Sequence, residues 1–305
     1  MKKILVIGAS GFVGRNLTKQ LIADGYSVRC LARTPDKIRA LATAGCEVVQ
    51  GDVSDLASLQ KATLSVDAVC ISIQTAGTQS AHQGTKDFMD VEIAGLQNIL
   101  GACQQNKVNR VIYISFLGTS PDAKSSWIRG RWKGEQLLLK SGLNATIIRP
   151  GMIVGIGGQG FNAVLSNAKK GTAMVMGNGK QRFRCIAISD LVYYLTGILN
   201  EPKAFGQAYD VGGDELYNMD QMIDIVANIL KNPHPKKFHL PMGGIRALSF
   251  ILEPMMKMQK GALKGLIDSM ETELIGVDPK AITKILPRTL LSFEQAAEKA
   301  IESTQ

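Results

Sequence analysis

The stretch Ile4-Leu5-Val6-Ile7-Gly8-Ala9-Ser10-Gly11-Phe12-Val13-Gly14 decides how this chain folds. Four apolar residues in a row read as a buried strand, and glycines spaced Gly-x-x-Gly-x-x-Gly follow at once. Val13, Leu17 and Leu21 then recur at i, i+4 and i+8, the apolar stripe of a helix packed on a sheet. A strand that ends in a glycine-rich turn and feeds a helix aims free backbone N–H groups at one point. That geometry binds a pyrophosphate. Gly8 lets the chain turn sharply where a Cβ would block the backbone. Gly11 admits phosphate close to the main chain, and Gly14 lets the helix approach the sheet. Ser10, Phe12 and Val13 fill the loop between them. A bare tight turn is the bland alternative, and the strand, glycines and striped helix in one unit argue against it.

The second strand, Ser27-Val28-Arg29-Cys30-Leu31-Ala32, ends at Arg33. An acid usually stands about twenty residues past such glycines to hold a ribose 2′-hydroxyl. Here the position is basic, and Arg15 directly follows the last glycine. Two guanidinium groups beside the adenosine ribose suit a 2′-phosphate, so NADP is favoured over NAD. The alternative is that both arginines are solvated surface charges. Asp36, within Thr34-Pro35-Asp36, reads as part of a helix cap with proline in the first turn.

Strand and helix patterns alternate up to residue 150. Further strands fall at Glu47–Gln50, Ala68–Ile73, Arg110–Ser115 and Ala145–Arg149, with helices at about 84–105 and 130–141. Short, continuous, β-branched strands are those covered by helices on both faces. The expected fold is therefore α/β, a Rossmann-type doubly wound parallel sheet over residues 1–155. A smaller C-terminal α+β lobe, 156–305, is interleaved with it and takes a substrate. Four glycines between Gly155 and Gly160 read as a mobile loop, and Gly177-Asn178-Gly179 as a turn between short strands. Helices are expected near 189–200 and 219–230. The tail from about 232 is helical in pattern and rich in methionine, with Met255, Met256 and Met258 close together. Methionine fills irregular core gaps; a pliable lid over an apolar substrate is the other reading.

The 305 residues carry a net charge of +9 and are 45% hydrophobic, ample for a core. A basic field favours anionic partners: a phosphorylated cofactor, an acidic substrate or protein, or a membrane surface. Nucleic acid is disfavoured, since no zinc finger, arginine block or aromatic platform accompanies the charge. Five cysteines form no Cys-x-x-Cys pair and three histidines have no ligand spacing with them, so neither a disulfide framework nor a metal site is expected. The apolar stretch 240–256 is broken by Arg246, Glu253 and two prolines, which excludes a membrane span. With strand one beginning at the third residue and no signal peptide before it, a soluble, cytoplasmic protein is expected.

With these segments in place, the chain resembles the atypical short-chain dehydrogenase/reductases, in particular the NmrA-like branch and relatives of the 39-kDa accessory subunit of respiratory complex I. The resemblance rests on Gly8 to Gly14, Gly51-Asp52-Val53, Tyr113-Ile114-Ser115, Arg149-Pro150-Gly151 and Ile188-Ser189-Asp190-Leu191, and covers about residues 1–230. It implies that Asp52 and Val53 contact adenine and that strand ends at Ser72, Ile73 and Ser115 line the nicotinamide side. It also implies that Pro150, Gly151, Met152 and Ile153 pass over that side.

The family's Tyr-x-x-x-Lys pair is missing. Matching Trp132, Gly134, Glu135 and Gln136 to the usual helix puts Trp127 at the tyrosine position and Arg131 at the lysine position. An indole N–H only donates, so Trp127 is no general acid. Arg131 stays charged and can hold a ribose or phosphate. Ser115 takes the place of the substrate-polarising serine, with a turn or helix cap as its alternative role. Tyr113 is expected to point into packing. The implied activity is hydride transfer from NADP(H) to a small or apolar acceptor that needs no enzymatic proton. The alternative is a non-catalytic NADP(H)-binding redox sensor or assembly factor. An epimerase or dehydratase ranks last, because those chemistries need the tyrosine.

Overall fold

The computed structural model describes residues 2–73, 88–255 and 261–304. Its first half alternates as expected: β1 (Lys3–Ile7), α1 (Phe12–Ala23), β2 (Ser27–Ala32), α2 (Arg39–Thr43), β3 (Glu47–Gln50), α3 (Leu56–Thr63), β4 (Ala68–Ile71), α4 (Phe88–Gln105), β5 (Arg110–Ile114), α5 (Ser126–Leu139) and β6 (Asn144–Pro150). The second half runs β7 (Met152–Val154), α6 (Gln159–Ala168), β8 (Thr172–Met176), β9 (Phe183–Ala187), α7 (Ile188–Gly197), β10 (Gln207–Val211), β11 (Leu216–Tyr217), α8 (Met219–Ile229) and β12 (Lys236–Leu240). Four helices follow: α9 (Met242–Ala247), α10 (Ser249–Met255), α11 (Ala262–Met270) and α12 (Phe293–Glu302).

The central sheet has seven strands in the order β10-β6-β5-β4-β1-β2-β3, every pairing parallel. The order reverses at β1, which lies between β4 and β2. That is where a doubly wound sheet opens a crevice beyond its strand ends. Two apolar layers flank the sheet. One joins Leu17 and Leu21 of α1 to Leu191, Tyr194 and Leu195 of α7 through Val6, Cys30 and Ile112. The other joins Leu59, Leu96, Ile99 and Leu138 to Leu5, Val69 and Val111. Each such fully buried aliphatic side chain stabilises by about 1.5–3 kcal/mol. A third cluster, built on Phe161, Met222, Ile223, Val226 and Phe293, is the core of the second half.

Several boundaries differ from the sequence reading. β10 was not foreseen; it adds to the sheet beside β6, so a strand from beyond residue 155 completes the first layer. α5 starts at Ser126 rather than Gly130. Gly130 and Gly134 are interior because α4 crosses there: a Cβ at Gly130 would lie 2.5 Å from Met89 Cε, and one at Gly134 2.9 Å from Leu96 Cδ1. These glycines mark a close helix crossing, not a helix start. The helix foreseen from about 84 is α4, described from Phe88.

Gly177-Asn178-Gly179 does turn the chain, but β8 and β9 do not pair with each other. β8 pairs with β12 and β9 with β7 and β11. β12 is also a strand within a tail that reads as helical, held by its parallel register with β8. Pro35 opens a short 3-10 turn, Pro35–Ile38, yet the Thr34 side chain makes no capping bond. Met222 and Met242 are buried and Met255 is exposed, while Met256 and Met258 lie outside the described residues. All five cysteines are buried and unpaired. Burial pushes the thiols of Cys30, Cys70 and Cys103 up to about 12. Among the described residues no helix is long and apolar enough to cross a membrane.

At the head of α1 the packing is backbone on backbone, since a Cβ at Gly14 would stand 2.2 Å from the Gly8 carbonyl oxygen. Gly14→Ala is therefore expected to lose about 1–3 kcal/mol through overpacking, read as a lower urea midpoint with unchanged slope. An unaltered midpoint would contradict this contact.

Candidate functional site

β1 stops at Ile7, and Gly8 turns the chain with φ +92°, a left-handed conformation that favours glycine. A Cβ there would meet the Ser72 carbonyl oxygen at 2.1 Å, so Gly8 also lets the loop lie against the end of β4. Gly11 donates its N–H to Gly8 at 3.0 Å and stands as N-cap of α1. Among the described residues no side chain caps α1, and no acid sits in its first turn. The first-turn amides, without an intrahelical acceptor, are left to an outside anion.

They face a cleft of about 720 Å³ along the carboxyl ends of the sheet strands. Gly8, Ser10, Gly11, Phe12 and Val13 form its floor, with Arg33, Asp52 and Val53 at one end. Ser72, Ile73, Ser115, Trp127, Arg131, Pro150, Gly151 and Ile153 form the other. Three residues named from sequence stand off this wall. Gly14 is packed beneath the loop, and the Arg15 guanidinium donates to the Ser10 carbonyl oxygen at 3.2 Å. Met152 packs against the core of the second half.

The basic flank is thus Arg33 with Lys37, not Arg33 with Arg15. Arg33, Lys37, Ser10 and Thr34 line an adjoining recess of about 440 Å³. Arg33 Nε lies 3.9 Å from an Asp52 carboxylate oxygen, whose other oxygen accepts from the Ser54 N–H and hydroxyl at 2.8 and 2.7 Å. Sequence reading missed Lys37 because its position only becomes meaningful once the turn at Pro35–Ile38 carries it back to Arg33. It also missed that Gly157, Gly158, Gln159 and Gly160 close the cleft from the far side. The four glycines from Gly155 to Gly160 were visible as a signal, and three of them lie against the Phe12 ring: a Cβ at Gly155, Gly157 or Gly158 would stand 2.9–3.2 Å from it, while one at Gly160 would meet Met152 at 3.1 Å.

At the other end, helix spacing puts Trp127 and Arg131 one turn apart on the same face of α5. The Arg131 guanidinium is 5.9 Å from the Trp127 ring. Trp127 stacks on Phe116 with ring centres 4.6 Å apart and planes inclined by 13°. Arg131 is buried and donates to Tyr113 Oη at 2.6 Å and the Ile73 carbonyl at 2.9 Å, while pairing with Glu92 at 3.2 Å. Tyr113, fully buried as expected, donates in turn to Glu92 at 3.1 Å. Burial pushes the phenol upward, against the opposing pull of Arg131. Tyr113 therefore serves the Arg131–Glu92 pair and is no proton donor to the cleft.

Ser115 Oγ and Trp127 Nε1, both buried, have no hydrogen-bond partner among the described residues; the same is true of Arg131 Nε. No group of histidine, cysteine and acidic side chains among the described residues is arranged to hold a metal. Behind Trp127 the tail is docked firmly, with Ser125 Oγ donating to the Gly265 carbonyl of α11 at 2.8 Å. Arg149 ties β6 to Glu135 of α5 at 2.5 Å and to Asp210 of β10 at 3.4 Å, fixing the helix from its other side.

Comparison with known proteins agrees with this geometry. A family model described as NAD(P)H-binding matches residues 8–177. The photosystem II assembly factor Ycf39 of Cyanophora paradoxa is 31% identical over 146 residues, 48% of this chain and 44% of that protein. Subunit 9 of the mitochondrial NADH dehydrogenase (ubiquinone) 1 alpha subcomplex of Dictyostelium discoideum is 26% identical, covering 72% of this chain and 62% of its own length. The chain thus spans 44% and 62% of the lengths of these two relatives. A (4-alkanoyl-5-oxo-2,5-dihydrofuran-3-yl)methyl phosphate reductase of Streptomyces griseus is 29% identical, covering 75% of this chain and 74% of the reductase. Among solved structures, an NADPH-dependent quinone oxidoreductase of Escherichia coli superposes with a TM-score of 0.72 at 18% identity, over 99% of this chain and all of that one, a likeness of fold.

Removing the phenol that joins Arg131 to Glu92 leaves buried charged groups short of a hydrogen bond. Tyr113→Phe is expected to cost about 1–3 kcal/mol in a urea titration. Wild-type stability in that variant would show that the bridge carries no weight.

Proposed function

Since the chain belongs to the NAD(P)H-binding family, we propose that it is an NADP(H)-dependent oxidoreductase of the atypical short-chain dehydrogenase type. One observation carries this reading: a glycine-floored cleft, uncapped helix N-terminus above it, leads into a recess flanked by Arg33 and Lys37. The residues present fit the cofactor. Gly8, Gly11 and the first turn of α1 would hold the pyrophosphate, with Ser10, Phe12 and Val13 beside it. Arg33 and Lys37 would take the 2′-phosphate, Arg15 acting only through the Ser10 carbonyl. Asp52 and Val53 would bound the adenine. Ser72, Ile73, Ser115, Arg131, Pro150, Gly151 and Ile153 would surround the nicotinamide end.

A bound NADPH would supply a hydride at that end. The chain's own part is to orient and to exclude water. Arg131, fixed by Glu92 and Tyr113, keeps a permanent positive charge beside the site but does not titrate there. Trp127 walls the space where a tyrosine would stand. Neither supplies a proton, so the acceptor is a small-molecule substrate whose reduction needs only hydride in the enzyme. Buried, unpaired thiols suit a reducing compartment such as the cytoplasm.

A second reading is a non-catalytic NADP(H)-binding sensor or assembly factor. The relationship to a photosystem II assembly factor and the missing tyrosine favour it. The charge of +9 would then dock an acidic protein or membrane surface. Steady NADPH oxidation by purified protein with an acceptor panel supports the enzyme; tight cofactor binding with no turnover supports the sensor.

Calorimetric titration tests the cofactor. NADPH is expected to bind at least tenfold more tightly than NADH, and Arg33→Ala or Lys37→Ala to remove that margin, as the loss of a charge-assisted hydrogen bond would. Equal affinities in the wild type would overturn the assignment to NADP.

A further inference from the structure

We propose that the outward face of α10 is a lipid-docking surface, which lays its apolar side chains into an anionic membrane interface. This face lies apart from the cleft lining and goes beyond the cofactor reading, serving an enzyme and a sensor alike. A helix against water normally turns charged and polar residues outward. Here that order is reversed. Ala247, Phe250, Ile251, Pro254 and Met255 recur at i, i+3, i+4, i+7 and i+8, and all five are exposed, Phe250 to 70% and Met255 to 75%. Leu248, also exposed, joins α9 to this face, its carbonyl accepting from the Ile251 and Leu252 N–H groups at 3.0 and 3.1 Å. The charged residues of α9 and α10, Arg246 and Glu253, both turn to α11. Arg246 pairs with Asp268 at 2.8 Å and with Glu271 at 2.5 Å. Glu253 is buried, and its carboxylate accepts from the N–H groups of Gly261, Leu263 and Lys264 at 2.9, 3.0 and 3.3 Å.

That carboxylate fixes the rotation of α10. Rolling the helix to hide Phe250 would pull Glu253 off three amides and leave a buried charge without partners. Inward packing is already taken by Leu252, set against Met242, Leu263 and Ile267. The larger apolar side chains are therefore held outside, and a contiguous apolar patch on a surface marks an interaction site. Two observations point to lipid as the occupant. The face offers no side-chain donor or acceptor and no Tyr, Trp or Arg, the residues protein interfaces favour. It also sits in the most basic part of the chain. The stretch 231–267 carries seven lysines and arginines against one acid, the inward-turned Glu253, and so holds most of the net charge of +9. Lys264, in the first turn of α11, is exposed. Aliphatic and aromatic residues with lysines about them suit a helix lying in the plane of an anionic interface. The charges and prolines that keep the stretch 240–256 from spanning a bilayer do not keep it from lying on one.

Sedimentation of the full chain with vesicles tests the surface, using equal parts phosphatidylglycerol and phosphatidylcholine against phosphatidylcholine alone. Binding is expected to the anionic vesicles and to be about tenfold or more weaker to the neutral ones. Phe250→Ser is expected to weaken it about tenfold or more, as withdrawing one large apolar side chain from a buried position does. Lys264→Gln should weaken it about fivefold, the share of one lysine near an anionic surface. Both side chains are exposed, so the urea midpoints should stay at the wild-type value. Since the native cysteines are all buried, an environment-sensitive fluorophore can be placed on Met255→Cys, and its emission should shift to the blue with anionic vesicles. Binding that leaves this emission unshifted, or that survives Phe250→Ser undiminished, is adsorption by charge and overturns the docking face. Equal binding to both kinds of vesicle overturns its anionic preference. No binding to either overturns the proposal outright, and a concentration-dependent dimer lost in Phe250→Ser would then give the face to a second copy of the chain. NADPH titration of the same samples reports on the cofactor reading separately, whatever the vesicles show.

Discussion

Everything at the functional end of this molecule depends on main chain meeting main chain at the head of β1. Gly8 lies so near Ser72 that a Cβ would intrude to 2.1 Å, and Gly14 so near Gly8 that one would intrude to 2.2 Å. These two approaches draw α1 down onto the sheet and bring β4 against the loop. The result is a helix N-terminus, free of side-chain caps, aimed into the crevice where the strand order reverses. Longer side chains at either glycine would push apart the elements that define the cleft floor.

A second constraint governs the opposite end. Gly130 and Gly134 let α4 and α5 cross closely, and Arg149 and Ser125 anchor α5 to β6 and α11. Within that frame the buried Glu92–Tyr113–Arg131 cluster sits at the end of the cleft lined by Ser115 and Trp127. A buried cation, Arg131, and the stacked Phe116–Trp127 rings line that end of the cleft. Chemistry that needs a proton from the enzyme is poorly served by such groups, and chemistry that needs only orientation and charge stabilisation is well served.

The sheet was legible in the sequence wherever the pattern was local. Strands such as Leu5–Ile7 or Val111–Ile114 are buried on both faces and so read as unbroken apolar runs. What escaped depended on distant partners. β10 carries Gln207 and Asp210 and looks unremarkable until β6 offers it a register. β12, with Lys236, Lys237 and His239, is a strand only because β8 pairs with it. In the cleft, the glycine loop and Arg33 were readable from spacing, and the Trp127–Arg131 pair from the family resemblance. Lys37, Phe116 and the 157–160 wall were not, since each reaches the cleft by a turn or a stacking contact that spacing alone does not encode. The misplacement of Arg15 has a similar cause: sequence adjacency to Gly14 hid that its guanidinium folds back onto Ser10.

The most direct measurement is a crystal structure of the protein grown with NADPH. The pyrophosphate is expected over the Gly8–Gly14 loop, the 2′-phosphate between Arg33 and Lys37, and the nicotinamide facing Ser115 and Trp127. A dinucleotide bound elsewhere, or one whose adenosine phosphate avoids those two cations, would contradict it.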